Sequence, residues 1–272
     1  MKENVFTCEK LKDNITSLMD PAGVRAFLIE GDKRAVLVDT CCGIGNLKKV
    51  VESMTNLPLT VLCTHGHVDH AGGAYGFEDI YLSKKDWDVV KEATTYERRS
   101  RFVNSAGTVY APEDFVPQRE GNYQDLKDGQ TFDLGGLTLE AIAVPGHTPG
   151  MTAILLREER TLILGDACNP FTFMFLKEST SIPTLMESLR HLWEREADFD
   201  TIWISHGDVG CPKNMILTVL DVCQDILDRK DDAIPMDSMG RPCILAKAVY
   251  GPKNCRVDGG VGNVVYGLDK LS

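Results

Sequence analysis

Short apolar runs of the length of β-strands recur along the chain, and several end in polar residues that can do chemistry. The runs are RAFLIE, RAVLVDT, TVLCTH, TLEAIAV, TAILLRE, TLILGDA and TIWISHG. The polar residues at or directly after their ends are Asp39, His65, His147, Asp166 and His206. Loops that follow rigid strands are a common place for reactive side chains. The pattern therefore predicts sheets that carry one site at their strand ends.

Between the strands, apolar residues at i, i+3 and i+4 spacing predict amphipathic helices. The predicted helices cover residues 45–54, 84–101, 183–196 and 212–229, and residues 131–144 are typical of a hairpin. Strands mixed with helices and hairpins predict an α+β protein in which helices cover mixed sheets. From residue 231 the chain is rich in turns and short strands. We expect one domain over 1–230, with 231–272 as a C-terminal elaboration of it.

Composition narrows the function classes. The 272 residues carry a formal charge of −11, which argues against a nucleic-acid backbone as the main partner. No apolar run approaches the roughly 20 residues that cross a bilayer, and the first residues lack the apolar core of a signal peptide. We expect a cytoplasmic protein that acts on a small molecule, without nucleic acid or membrane as partner; a homodimer stays open. The nine cysteines contain no CxxC pair and are expected to be reduced and mostly buried.

The stretch THGHVDHAGG at 64–73 contains three of the six histidines in the chain. His65 and His67 are two residues apart and can converge on one cation, whereas Asp69 and His70 lie beyond a bend and can face a second. Imidazole nitrogen and carboxylate oxygen are ligands of zinc, manganese and iron. Gly72 and Gly73 are expected to let the backbone turn there.

Three later positions extend this candidate site. His147 lies in a turn flanked by proline and glycine, and Asp166 and His206 each end an apolar strand. A single carboxylate at Asp166 could bridge two metals. The remaining histidine, His191, lies within a predicted helix and is expected to be structural or to face solvent.

These motifs together resemble the metallo-β-lactamase-fold hydrolase superfamily. The resemblance rests on H-x-H-x-D-H at 65–70, PGHTPG around His147, LGDA around Asp166 and SHG around His206, and LVDTCCG resembles the early strand–Asp–turn motif of the family. It implies a four-layer αββα sandwich with the metals at one edge of the two sheets. It further implies the ligand assignment: His65, His67 and His147 on the first metal, Asp69, His70 and His206 on the second, Asp166 bridging, and Asp39 behind the ligands.

The resemblance also implies chemistry. Two divalent cations, zinc as the first expectation with iron or manganese also compatible, would share a hydroxide that acts as the nucleophile, and Asp69 is the candidate catalytic proton handler. Glyoxalase II-like thioester hydrolases and lactonases fit best among the members, so the expected reaction is hydrolysis of an ester, thioester or lactone of a small molecule. An iron-dependent redox enzyme of the same fold and a non-catalytic metal-binding module are the alternatives.

The sequence offers fewer indications of the substrate. Asn169 occupies the place where some acyl-homoserine lactonases carry a tyrosine, and it is a candidate substrate contact. Phe171 and Phe173 belong to the apolar run PFTFMF, which forms either core packing or a wall for an acyl or aromatic group. Segment 102–124 is either a lid or an ordinary surface connection.

Overall fold

Two large sheets carry the loops of the predicted site. The computed structural model of the protein describes residues 5–104 and 108–272. The strands of the first sheet are, in order, β1 (Thr7–Lys12), β2 (Ile15–Met19), β3 (Arg25–Glu30), β4 (Ala35–Val38), β5 (Leu59–Leu62), β6 (Ile80–Leu82) and β7 (Gln124–Asp125). Strands β1 to β4 pair antiparallel and β4 to β7 pair parallel. The carboxyl ends of β4, β5 and β6 therefore meet at one edge.

The second sheet is built from the middle of the chain. The next strands along the chain are β8 (Thr131–Asp133), β9 (Thr138–Ala143), β10 (Thr152–Leu156), β11 (Thr161–Ile163), β12 (Thr172–Met174), β13 (Thr201–Trp203) and β14 (Gly210–Cys211). All of them except β12 form this sheet, in the order β14-β13-β11-β10-β9-β8. Strands β8 and β9 form the predicted hairpin, and β11 and β13 run parallel.

The C-terminal segment forms a smaller sheet together with β12. The strands of the C-terminal segment are β15 (Ile234–Ser238), β16 (Arg241–Leu245), β17 (Val249–Tyr250), β18 (Cys255–Arg256) and β19 (Val264–Tyr266). The sheet order is β12-β19-β16-β15, and β17 pairs with β18. The short strands expected after residue 231 are thus confirmed. Val264 and Tyr266 pack in the same apolar cluster as the second sheet, in keeping with the single domain that stays a prediction.

The helices include the predicted ones except in one region, and the short helix α2 within the histidine motif was not predicted. They are α1 (Leu47–Met54), α2 (Val68–Ala71), α3 (Trp87–Ala93), α4 (Tyr96–Asn104), α5 (Ile182–Glu194) and α6 (Met215–Asp228). The prediction of a single helix over 84–101 is wrong. A 3-10 turn at Lys84–Asp86 precedes α3, and the helix is interrupted again between Ala93 and Tyr96, where α4 begins. The Thr94 hydroxyl donates to the Val90 carbonyl, and the Thr95 hydroxyl accepts from the Arg98 amide. These side chains satisfy the backbone groups at the two helix ends, so they favour a break.

Three apolar layers hold the sheets and helices together. Side chains of both sheets meet in the central layer, where the Phe27 and Trp203 rings stack with their centroids 5.8 Å apart. Leu28 points to the opposite face of the first sheet, in a cluster with Val51 of α1. On the outer face of the second sheet, Leu155 packs in a cluster with residues of α5 and α6. The order helix, sheet, sheet, helix confirms the expected αββα sandwich.

The cysteine side chains fit the expectation from composition. All nine cysteines are free, and six of them are buried, as predicted. Over the two described ranges, no helix has both the length and the apolar character needed to cross a bilayer.

Candidate metal centre

The loops after four strands meet at one edge of the sandwich and bring all seven predicted ligands together. Residues 63–67 follow β5, and His147, Asp166 and His206 follow β9, β11 and β13. Asp69 and His70 lie in the short helix α2, which has His67 at its N-cap. The side chains form two groups, His65, His67 and His147 in one and Asp69, His70, Asp166 and His206 in the other.

The first group consists of three histidines whose ring nitrogens converge. Nδ1 of His67 lies 3.1 Å from Nε2 of His65 and 2.8 Å from Nε2 of His147. The three residues are buried. Three imidazole nitrogens that face one another at this spacing fit the ligand set of a single divalent cation.

The second group mixes carboxylates with imidazoles. Nε2 of His206 lies 3.4 Å from Asp69 Oδ2, 3.2 Å from Asp166 Oδ1 and 3.4 Å from Nε2 of His70. The side chain of His206 is 36% exposed, whereas that of His70 is fully buried. The site therefore opens to solvent on the side of His206.

Asp166 lies between the two groups and faces both. Its Oδ2 is 3.5 Å from Nε2 of His147, and its Oδ1 is 3.6 Å from Nε2 of His70. One carboxylate thus offers an oxygen to each group, which is the arrangement that a bridging ligand needs.

Each of four histidines has its second ring nitrogen held by a hydrogen-bond partner. His67 Nε2 lies 2.8 Å from Glu178 Oε1, and His70 Nδ1 lies 2.8 Å from Asp39 Oδ2. His147 Nδ1 lies 2.7 Å from the backbone carbonyl of Phe173, and His65 Nδ1 lies 3.1 Å from the Thr64 hydroxyl. Such partners fix the tautomer of the ring and leave the other nitrogen free to bind a metal.

Electrostatics differ between the two groups. Burial lowers the pKa of His65 well below its ordinary value and that of His147 to about 4, and the neighbouring histidines add to both shifts. These imidazoles are therefore neutral at pH 7, the form that binds metals. Burial also lowers the pKa of His70 and His206, but Asp166 and other nearby carboxylates outweigh it and raise both values. The second group thus holds concentrated negative charge opposite its imidazoles.

The donor chemistry of this edge fits divalent metal ions. Five imidazoles and two carboxylates supply nitrogen and oxygen ligands, and within each group the ligand atoms lie within 4.8 Å of one another. Zinc, iron and manganese all accept such a set. The residues present therefore fit a centre for two cations.

The predicted substrate contacts differ in their surroundings: Asn169 bonds directly to a ligand, whereas Phe171 and Phe173 belong to an apolar cluster. Asn169 is buried and donates from Nδ2 to Asp166 Oδ1 at 3.0 Å, and its Oδ1 has no hydrogen-bond partner in the described residues. Phe173 is partly buried, and its ring packs against that of Phe175 at 5.2 Å between centroids. Phe171 is partly buried in the same apolar cluster. Their roles as substrate contacts stay predictions. The lid hypothesis for 102–124 also stays untested, and residues 105–107 of that segment lie outside the described residues.

Gly72 and Gly73 were expected to let the backbone turn, and this expectation is wrong. Gly72 has a φ of −65°, and Gly73 is also absent from the positive-φ positions, so neither is needed to turn the chain. A Cβ on Gly73 would lie 2.1 Å from the Thr40 carbonyl oxygen, and one on Gly72 would lie 2.8 Å from that of Cys42. The glycines instead allow the motif to pack closely against residues 40–43.

Two carboxylates at the site escaped sequence analysis. Glu178 is 111 residues from His67 along the chain, and no periodic pattern marks it. Asp86 follows β6, which is parallel to β5, and accepts a hydrogen bond from the amide of Gly66 between the first two histidines. Identifying IYL at 80–82 as a strand would have placed Asp86 at the same edge as the histidines.

Comparisons with known proteins agree with this geometry. The family model of the metallo-beta-lactamase superfamily matches residues 19–201. The chain is 30% identical over 223 residues to the beta-lactamase-like protein 2 homolog of Caenorhabditis elegans, which covers 76% of this chain and 65% of that protein. It is 24% identical over 157 residues to human acyl-coenzyme A thioesterase MBLAC2, which covers 52% and 56%. Over 150 residues it is 26% identical to hydroxyacylglutathione hydrolase GloC of Haemophilus influenzae, which covers 52% and 64%. The matches thus span just over half to about two thirds of the length of these relatives.

Solved structures share the architecture. A metallo-beta-lactamase from Pontibacter korlensis superposes with a TM-score of 0.58 at 17% identity, over 81% of this chain and 99% of that one. A variant of a sec-alkyl sulfatase superposes with a TM-score of 0.66 at 14% identity, over 84% and 43%. At these identities the likeness shows the fold alone.

Proposed function

The chain belongs to the metallo-beta-lactamase superfamily, and we propose that it is a dinuclear metal-dependent hydrolase that cleaves an ester, thioester or lactone of a small molecule. Within that range we favour a thioester. The relatives support this choice, because one is named as an acyl-coenzyme A thioesterase and another as a hydroxyacylglutathione hydrolase. A cytoplasmic location and a homodimer stay predictions.

The observation that carries the proposal is the position of Asp166 between the two ligand groups. Its two carboxylate oxygens lie 3.5 Å from His147 and 3.2 Å from His206, on opposite groups. A site for one cation would not need a carboxylate that faces both groups. We therefore assign His65, His67 and His147 to one cation, Asp69, His70 and His206 to the other, and Asp166 to both.

The side chains of this chain divide the work of such a reaction. When bound, two divalent cations supply Lewis-acid polarisation of the substrate oxygen and lower the pKa of water toward about 7. The buried histidines hold fixed positions because their outer nitrogens are already bonded. The carboxylate of Asp69 lies next to His206 on the open side of the site. Because Oδ2 faces the ligand imidazoles, the other oxygen, Oδ1, can accept a proton and deliver it to the leaving group.

We infer a hydrophobic wall next to the centre from the apolar side chains on and around β12, and this wall would suit an acyl substrate. The backbone carbonyl of Phe173 is bonded to His147, so strand β12 borders the ligands directly. Phe171, Phe173 and Leu176 are partly buried and keep some accessible apolar surface in this cluster. Apolar walls with a few polar groups are the usual lining of small-molecule sites. We propose that an acyl chain lies along β12, the strand whose Phe173 carbonyl contacts a ligand.

The experiment measures bound metal and turnover on the same preparations. The protein is stripped with a chelator and reloaded with Zn²⁺, Fe²⁺ or Mn²⁺. It is then assayed against acyl thioesters, lactones and phosphodiesters. We expect thioester hydrolysis that depends on the reloaded metal. Metal binding without turnover on any class would contradict the hydrolase and favour a binding module, whereas iron-dependent redox activity would favour the oxidoreductase alternative.

A further inference from the structure

A buried carboxylate outside the ligand set ties together the two loops that supply the first histidine group. Asp86 is fully buried in the 3-10 turn after β6. Its Oδ2 accepts from the Gly66 amide at 2.9 Å and from the Thr148 hydroxyl at 2.6 Å, and its Oδ1 accepts from the Gly150 amide at 2.7 Å. Gly66 separates His65 from His67, and Thr148 follows His147. The two loops belong to different sheets.

The backbone around Asp86 is shaped to let this carboxylate in. A Cβ on Gly150 would lie 2.6 Å from Cγ of Asp86, and a Cβ on Gly66 would lie 3.0 Å from its backbone oxygen. Side chains at these two positions would therefore push the loops away from the carboxylate. Glycine at both positions permits the approach.

Among the described residues, the Asp86 carboxylate has no cationic partner to explain its burial. In residues 5–104 and 108–272, no lysine, arginine or histidine forms an ion pair with Asp86, and its side chain accepts from the three donors named above. A buried charge without a counter-ion needs several well-placed hydrogen bonds to persist. Two of these donors are backbone amides whose positions set the course of the ligand loops.

We propose that Asp86 is a positioning residue that fixes the two histidine loops at the spacing that the first metal ion requires. The His67–His147 contact at 2.8 Å crosses between these loops, so the spacing of the three ligand nitrogens depends on how the loops are joined. The backbone also joins them, through the bond from the Thr152 amide to the Thr64 carbonyl at 2.8 Å. That bond involves a residue next to His65 alone, whereas Asp86 bonds to Gly66 and Thr148, which between them are adjacent to all three histidines. The inference rests on the proposed metal centre and adds a residue that acts through its ligands.

Replacing Asp86 with asparagine tests the role with little change in shape. An amide has only one acceptor oxygen, so Asp86→Asn sets an NH₂ group against at least one of the three donors. We expect the affinity of the first site for Zn²⁺ to fall about 10- to 100-fold, measured by chelator competition. The second site should keep its affinity, and the visible spectrum of the Co²⁺-loaded protein should change. The milder Thr148→Val removes one donor and should cause a smaller loss in the same direction.

A matched control separates positioning from general stability. Glu140 is also a buried carboxylate, on strand β9 that leads to His147, but it pairs with Arg157 and Arg195. Glu140→Gln should lower the thermal midpoint and leave Zn²⁺ affinity unchanged. Wild-type affinity in both Asp86→Asn and Thr148→Val, or an equal loss in Glu140→Gln, would overturn the role of Asp86.

The outcomes also distinguish this inference from the proposed hydrolysis. A wild-type protein that binds two cations but hydrolyses no substrate would contradict the hydrolase. A loss of Zn²⁺ affinity in Asp86→Asn would still support the positioning role of Asp86. A wild-type protein that binds no cation would overturn both.

Discussion

Asp39 accepts a hydrogen bond from Nδ1 of His70 at 2.8 Å, and both side chains are fully buried. The same carboxylate accepts from the backbone amide of Thr64 at 2.7 Å. Asp39 reaches this position with a φ of 63°, a left-handed conformation that costs free energy for a residue other than glycine. The end of β4 is therefore joined to the histidine motif by a strained residue, at the place where sequence analysis expected a supporting carboxylate.

Replacing Asp39 with asparagine should weaken the second metal site. The amide keeps only one acceptor oxygen, so it cannot accept from both the Thr64 amide and His70 Nδ1. The bond that points His70 Nε2 at the second group is therefore either lost or reduced to a neutral one. We expect Zn²⁺ affinity at that site and hydrolysis each to fall about 10- to 100-fold. Titration with a competing chelator measures the affinity. A variant that binds two zinc ions as tightly as the wild type would contradict the orienting role.

Glu178 should have a corresponding effect on the first site. Its carboxylate accepts from His67 Nε2, and hydrogen bonding to His67 lowers the pKa of Glu178 to about 2 although burial opposes the shift. Glu178→Gln replaces this charge-assisted bond with a neutral one, so we expect about a tenfold loss of Zn²⁺ affinity.

The chain offers a matched control for this variant. Glu194 lies 3.5 Å from His191 on the exposed face of α5, outside the site. Glu194→Gln should leave metal affinity and turnover unchanged. Equal losses in Glu178→Gln and Glu194→Gln would show that the effect does not come from orienting His67.

Strand ends and their ligands could be predicted from sequence because both are local patterns. Apolar runs predicted the strands that lead to His65, His147 and His206, and the structure brings these residues together. Strand β1 was missed because most of its residues are exposed, so no alternation of apolar positions marks it.

Residues that act across long chain separations could not be predicted in this way. Glu178 follows β12, which pairs with β19 from the end of the chain, and it meets His67 across 111 positions of sequence. The helix break at Thr94 was missed because apolar periodicity continues through it, and only hydrogen bonds of the threonine side chains reveal it.

Phe173→Ala tests the hydrophobic wall. Removing an aromatic ring that contacts an acyl chain forfeits about 1.5–3 kcal/mol of apolar burial, so KM for a medium-chain acyl thioester should rise about tenfold or more. The smallest acetyl thioester should be affected least. Phe132→Ala, at a partly buried aromatic on β8, is the control. A uniform effect on all chain lengths would argue against contact with the acyl chain.

Glu140 should make stability depend on pH. Hydrogen bonding to Arg195, and also to Arg157, lowers the pKa of Glu140 in the folded protein although burial opposes it. The ordinary value in the unfolded chain is about 4.3. The stabilisation is therefore fully present above that pH and is lost as the pH falls toward the lower folded value.

Glu140→Gln should accordingly cost about 1–2 kcal/mol of unfolding free energy at pH 7 and less at pH 3. Urea denaturation at the two pH values measures the difference. A cost that is the same at both pH values would contradict the ion-pair explanation.

The most direct test of the dinuclear hydrolase is stepwise reloading of metal-free protein with Zn²⁺, with bound zinc and acyl-thioester hydrolysis measured on each sample. We predict two zinc ions per chain, activity that rises with their binding, and loss of the second equivalent together with at least about a 100-fold loss of turnover in Asp166→Ala. Full hydrolysis by the metal-free protein, or unchanged zinc content and turnover in Asp166→Ala, would contradict the assignment.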